Sequence, residues 1–197
     1  MSPESRFKIS VQDDALALLQ RKLADVRLPD ELSDAGWDYG APLSDVKRLV
    51  NKWKDGYDWR AHERKLNQLP MFTRDIEVEE FGVLNVHYVH QRSELESAIP
   101  LLFVHGCAWH GHLISGSSCE ELIHIAYAVG PGSFIEVTKI LPLLTAPEAG
   151  HPSFHVVAPS LPGYAWSQAP LKRGFQSKHY AEVGTVPNKP SSFSPYL

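Results

Sequence analysis

From Val11 to Arg27 the apolar residues Leu16, Leu19, Leu23 and Val26 recur three and four positions apart, the spacing that lines one face of an α-helix. Gln12-Asp13-Asp14 stands ahead of that stripe, where such side chains cap the free N–H groups of a first turn and suit its positive end. Leu28-Pro29-Asp30 stops the helix. The stretch through Gly36, Trp37, Tyr39, Gly40 and Pro42 is aromatic but aperiodic, which predicts an ordered meander packed on something larger. Ser44 or Asp45 is the expected cap of a second helix carrying Val46, Leu49, Val50 and Trp53. Asp58-Trp59-Arg60 leads into a third through Leu66 and Leu69.

After Pro70 the period changes from about 3.6 to 2. Ile76, Val78 and Phe81 alternate with acids, a turn follows at Gly82, and Leu84, Val86, Tyr88 and Val89 continue, which predicts a β-hairpin. Leu101-Leu102-Phe103-Val104 and Phe154-His155-Val156-Val157-Ala158 are continuous apolar runs, as in strands buried on both faces of a mostly parallel sheet. Phe134, Val137, Ile140, Leu141 and Leu144 between them have helical spacing. Strand, helix, strand is the unit of a right-handed crossover, so the second half is expected to be α/β. The last residues, Gly184 to Leu197, are rich in Pro and Ser and predict a disordered tail.

Composition narrows the function. With 43% hydrophobic and 21% charged residues, the 197-residue chain has the make-up of a globular protein able to bury a core. Its 23 acids and 19 bases are spread along the chain, so no basic stripe offers itself to nucleic acid or anionic lipid. No stretch approaches the roughly 20 apolar residues of a membrane span, and Met1 to Ser10 lacks a signal-peptide pattern, so a cytoplasmic location is expected. Cys107 and Cys119 are expected to be free thiols.

Gly36-Trp37-Asp38-Tyr39-Gly40, Trp53, Tyr57-Asp58-Trp59-Arg60, Glu63, Leu66-Asn67 and His87, in that order, resemble the N-terminal domain of the microsomal-type and fungal epoxide hydrolases. Ile99-Pro100-Leu101-Leu102-Phe103-Val104-His105-Gly106 and Val157-Ala158-Pro159-Ser160-Leu161-Pro162-Gly163-Tyr164 look like the opening strands of the α/β-hydrolase domain that follows there. The resemblance implies an α/β fold with a helical N-terminal meander region over 1–72 and first strands over 73–106. The hydrolase portion then continues, truncated, over 131–183, ahead of a tail over 184–197. It further implies a cofactor-free hydrolysis of a small hydrophobic epoxide to a vicinal diol through an aspartyl ester, with a homo-oligomer as one possible state.

Two departures bear on activity. In the family, His-Gly is followed at once by Trp-Pro-Gly-Ser, whose turn supplies a backbone N–H to the oxyanion hole. Here His105-Gly106 runs into Cys107-Ala108-Trp109, and Pro131-Gly132-Ser133-Phe134 follows only later, so 107–130 reads as an insertion that disrupts the turn of His105, Gly106, Cys107 and Pro131. A displaced donor there costs on the order of a hundredfold in rate. After Gly174-Phe175 and Ser177 to Val183 the chain leaves the family pattern at Gly184-Thr185-Val186-Pro187. The family's nucleophilic Asp, cap tyrosines and His/acid pair lie beyond that point. No Gly-x-Ser-x-Gly or Gly-x-Asp-x-Gly elbow is recognised anywhere in the chain, and no nucleophile–base pair is apparent. The expectation is therefore a family member without catalytic residues of its own, and a retained intron followed by a frameshift would produce such a pattern. The alternative is a noncatalytic module that associates with full-length homologues through the meander.

Smaller signals are weighed the same way. His105 could be catalytic, but the resemblance gives it a structural place in the turn. Cys107, His110, His112, Cys119 and His124 hold zinc-type ligands at close spacing, yet in no established pattern, so no metal is assigned. Leu122, Ile123, Ile125, Ala126 and Val129 suit a short apolar helix within the insertion. The aromatic residues at 37, 39, 53, 57 and 59 could line a pocket, but packing against the hydrolase portion is the expectation. The strand edge left unpaired by a half-built sheet is an expected hazard.

Overall fold

The computed structural model describes residues 3–105, 124–128, 133–148 and 150–185. The chain divides into two compact units, one of residues 9–68 and one that joins the first eight residues to everything from Leu69 onward.

The smaller unit holds α1 (Asp13–Ala24), α2 (Leu43–Asp55) and α3 (Trp59–Leu66). α1 follows the predicted stripe through Leu16, Leu19 and Leu23, with Leu23 buried, but it ends at Ala24, so Val26 lies beyond the helix and is exposed. α2 starts before the predicted caps: Pro42 is its N-cap, and neither Ser44 nor Asp45 closes its end. Glu31 does that from outside, its carboxylate accepting from the Leu43 N–H at 2.6 Å, and proline's fixed φ suits the entry to a helix. α3 begins as expected, with the Asp58 carboxylate accepting from Ala61 N–H at 3.0 Å.

The resemblance residues of α3 explain their own presence. Asn67 receives the Ile9 N–H at 2.8 Å and returns its amide to the Ile9 carbonyl at 2.9 Å, as a neighbouring strand would. Glu63 accepts from the Val11 N–H at 2.7 Å and from Arg60 at 2.6 Å, and Arg60 reaches on to Asp13. The Val11 N–H, and then Arg60, hold the Glu63 carboxyl below the usual carboxylate range. The extended segment before α1 is thus tied to α3 by side chains, leaving few backbone groups there unsatisfied.

The larger unit is a six-stranded mixed sheet. Its strands are β1 (Ser5–Arg6), β2 (Met71–Val78), β3 (Gly82–Gln91), β4 (Ile99–His105), β5 (His124–Ala128) and β6 (Phe154–Pro159), in the spatial order β1-β2-β3-β6-β4-β5. β2 and β3 form the predicted hairpin, paired from Met71↔Val89 to Val78↔Gly82, with Gly82 at φ 77 where a side chain would be strained. β4 and β6 pair in parallel, as the two apolar runs predicted. The connection between them differs from the single helix expected. A 3-10 turn, Phe134–Val137, and a short helix α4, Leu141–Thr145, replace it, because Pro142 fits only a first helical turn and forces a new start there.

The inserted segment also differs. His124–Ala128 is a strand, not part of a helix, and pairs in parallel with β4 from Leu101↔His124 to His105↔Ala128. The free N–H and C=O groups along that side of β4 outweigh a weak local helical pattern. The outer side of β4 is accordingly paired rather than bare.

Opposite faces of the sheet bury different sets. Ile76, Val78, Leu84 and Val86 pack with Val183 of α5 (Ser177–Thr185) and with Phe81 and Phe175. On the other face His87 meets Phe134. Helical pieces on both faces of a partly parallel sheet make this an α/β fold, as the element pattern predicted.

Candidate functional site

The family pattern points to the ends of β4 and β6. β4 is buried at Leu101 and Leu102 and ends at His105. Gly106, Cys107 and Pro131 of the expected oxyanion turn lie outside the described residues. The zinc-type set does too, apart from the backbone of His124 in β5. The chain returns at Ser133, whose hydroxyl accepts from the Ile135 N–H at 3.4 Å and starts the 3-10 turn. Phe134 and Val137 anchor that turn, at 1% and 0% exposure.

β6 runs out into Ser160-Leu161-Pro162-Gly163-Tyr164. Gly163 takes φ 89, the left-handed region, and Ala165 follows it there at φ 47. The returning loop then bonds to β3 as a strand would: Gln168 N–H donates to the Asn85 carbonyl at 2.8 Å, and Asn85 N–H donates to the Gln168 side chain at 3.1 Å.

One cluster between β3 and this loop was not legible in the sequence. His87 Nδ1 lies 3.0 Å from Ser160 Oγ. The His87 N–H donates to Ser167 Oγ at 2.9 Å, Ser167 Oγ donates to the Ser160 carbonyl at 2.6 Å, and Ser160 N–H donates to the His87 carbonyl at 2.8 Å. Phe7 and Phe134 each meet the imidazole edge-on at 4.9 Å, and Trp166 lies 5.7 Å away. Burial pushes the His87 pKa down to about 4, so the ring is neutral near pH 7.

A hydroxyl beside an imidazole is the nucleophile–base pair that sequence alone did not reveal. It lacks the rest of a hydrolytic site. His87 and Ser160 are both 0% exposed, and no acid orients the ring, since Nε2 has no hydrogen-bond partner among the described residues. The signal that could have found the pair is local: His87 sits mid-strand, and Ser160 and Ser167 flank a Pro-Gly turn after a buried strand.

A second motif calls for correction. Gly36-Trp37-Asp38-Tyr39-Gly40 does have Gly-x-Asp-x-Gly spacing. It is not a nucleophile elbow: it lies in successive turns, with Gly36 at φ 53 and Gly40 at φ 127, and no strand leads into it. Trp37 is 70% and Tyr39 83% exposed. Trp53, Tyr57 and Trp59 instead line an apolar groove of about 600 Å³ in the helical unit, together with Leu16, Leu19 and Leu49.

Elsewhere on the sheet, Tyr88 Oη donates to Glu4 at 2.8 Å, and His90 Nδ1 lies 3.7 Å from the same carboxylate. Burial raises the Tyr88 pKa, with the Glu4 bond adding to it, and burial lowers that of His90 despite Glu4.

The sequence pattern of the epoxide hydrolase N terminus matches residues 4–114. Juvenile hormone epoxide hydrolase 1 of Ctenocephalides felis is 33% identical over 181 residues, 90% of this chain and 33% of that protein. Epoxide hydrolase 1 of Sus scrofa is 31% identical over 185 residues, 90% of this chain and 35% of that protein. The solved structure of the Aspergillus niger epoxide hydrolase superposes with a TM-score of 0.68 at 30% identity, over 93% of this chain and 41% of that one. The chain spans about a third of the length of the two sequence relatives.

Proposed function

The chain belongs to the epoxide hydrolase N-terminus family, and from that premise we propose that it forms the entry portion of an epoxide-opening hydrolase. In this reading the helical unit and the sheet up to α5 build the scaffold and one arm of the oxyanion turn. The reaction itself, attack of an aspartate on an epoxide carbon and hydrolysis of the ester to a diol, needs residues that these 197 do not supply. The observation that carries this is the state of the strand ends. Among the described residues the one hydroxyl–imidazole pair is fully buried without an orienting acid, and the Gly-x-Asp-x-Gly string is a surface turn.

The substrate class that fits is a small hydrophobic epoxide. Incubating the purified 197-residue chain with styrene oxide and measuring diol by mass spectrometry is expected to give no product above the buffer control. Turnover abolished by a point substitution in this chain would overturn the reading.

A second reading draws on the exposed aromatics. Trp37 and Tyr39 offer the helical unit a surface for a full-length homologue, which would make the chain a noncatalytic partner. Mixing purified chain with a purified full-length relative should then give a complex by light scattering that Trp37→Ser weakens.

A further inference from the structure

The part of the sheet that precedes the oxyanion turn holds a buried group with no assigned task. His87 is wholly buried and meets two separate segments by two different means. Its polar corner, Nδ1, faces Ser160 Oγ at 3.0 Å, and Ser160 opens the loop that returns along β3 through Ser167. Its edge meets Phe134 at 4.9 Å, and Phe134 begins the 3-10 turn on the far side of the insertion. Those segments are distant in sequence, yet both meet one imidazole.

We infer that His87 is a positioning residue that fixes two loops at once, the Ser160–Gln168 return by its hydrogen bond and the Ser133–Val137 turn by its ring. An aliphatic residue would fill the same space but leave Ser160 Oγ without the contact, and a buried hydroxyl without a partner destabilises the loop that carries it. A small polar residue would keep that bond but remove the ring contact with Phe134. Histidine has both in one side chain. Burial among apolar walls keeps it neutral. That the 3-10 turn is the arm of an oxyanion turn rests on the function proposed above; the double contact does not.

The test separates the two contacts by hydrogen exchange, read peptide by peptide on the intact chain, and needs no turnover. It therefore stands or falls apart from the epoxide assay. His87→Phe keeps a ring and removes the polar corner; exchange should rise about tenfold over 160–168, the factor for one lost buried hydrogen bond, and stay unchanged over 133–137. His87→Asn keeps an amide near the place of Nδ1 and removes the ring, and should give the reverse pattern. Ser160→Ala deletes only the hydroxyl and should reproduce the His87→Phe pattern. It should also alter the imidazole nitrogen resonances of His87, which a purely space-filling ring would not show. Equal loosening of both segments in each variant, or no change in either, overturns the inference. If the His87 variants fail to fold, Ser160→Ala decides: unchanged exchange over 160–168 overturns it.

Discussion

At the scale of single residues, three of the side chains that the family pattern singles out, Asp58, Glu63 and Asn67, hold backbone groups. Asn67 is the clearest case, since it satisfies both the N–H and the C=O of Ile9, a residue only 1% exposed. Asn67→Ala strands both groups and is expected to cost about 2 kcal/mol in urea unfolding. His87 makes a pH prediction with a definite sign. Its pKa is about 4 in the folded chain against an ordinary 6.5, so the unfolded chain binds the proton more tightly. The stability from keeping this ring neutral is complete above pH 6.5. It falls as the pH drops toward 4 and then levels, a loss of about 3 kcal/mol in all. Thermal melts between pH 7 and 4 should show the decline, and His87→Phe should flatten it. Burial also lowers the pKa values of His90 and His155, so the flattening will be partial. Trp37 makes the opposite prediction: at 70% exposure, Trp37→Ser should change the unfolding free energy of this chain by no more than about 0.5 kcal/mol.

At the scale of elements, agreement with pattern depended on whether the ends were chemically marked. α3 begins where Asp58 can cap it, and Asp58→Ala is expected to remove about 1 kcal/mol, visible as a lower urea midpoint. The β2–β3 hairpin follows its alternation because Ile76, Val78, Leu84 and Val86 must share one buried face. α2 departed from pattern because its first N–H is satisfied by Glu31, twelve residues away, which no local window contains. The stretch from Phe134 to Leu144 departed for a local reason: a helical stripe was visible, but Pro142 within it left only short pieces. His124–Ala128 departed for a distant one. Its side of the question was decided by β4, whose edge groups needed a partner.

At the scale of the whole molecule, the sequence by itself determined the class of each half, helices before Pro70 and an α/β sheet after it. Hydrophobic period is a local property that each element carries alone. It also determined the family, because the strings from Gly36 to Asn67 and from Ile99 to Tyr164 are ordered and specific. Which residues meet was decided only by the tertiary structure. His87 and Ser160 lie 73 positions apart, and Asn67 and Ile9 lie 58 apart. Such pairs are selected by strand register and by the strong tendency of buried polar groups to find partners, a condition on the folded chain that no stretch of sequence displays. The same holds for Gly36-Trp37-Asp38-Tyr39-Gly40. Its spacing is that of a nucleophile elbow, and only the absence of a strand leading into it makes it a surface turn.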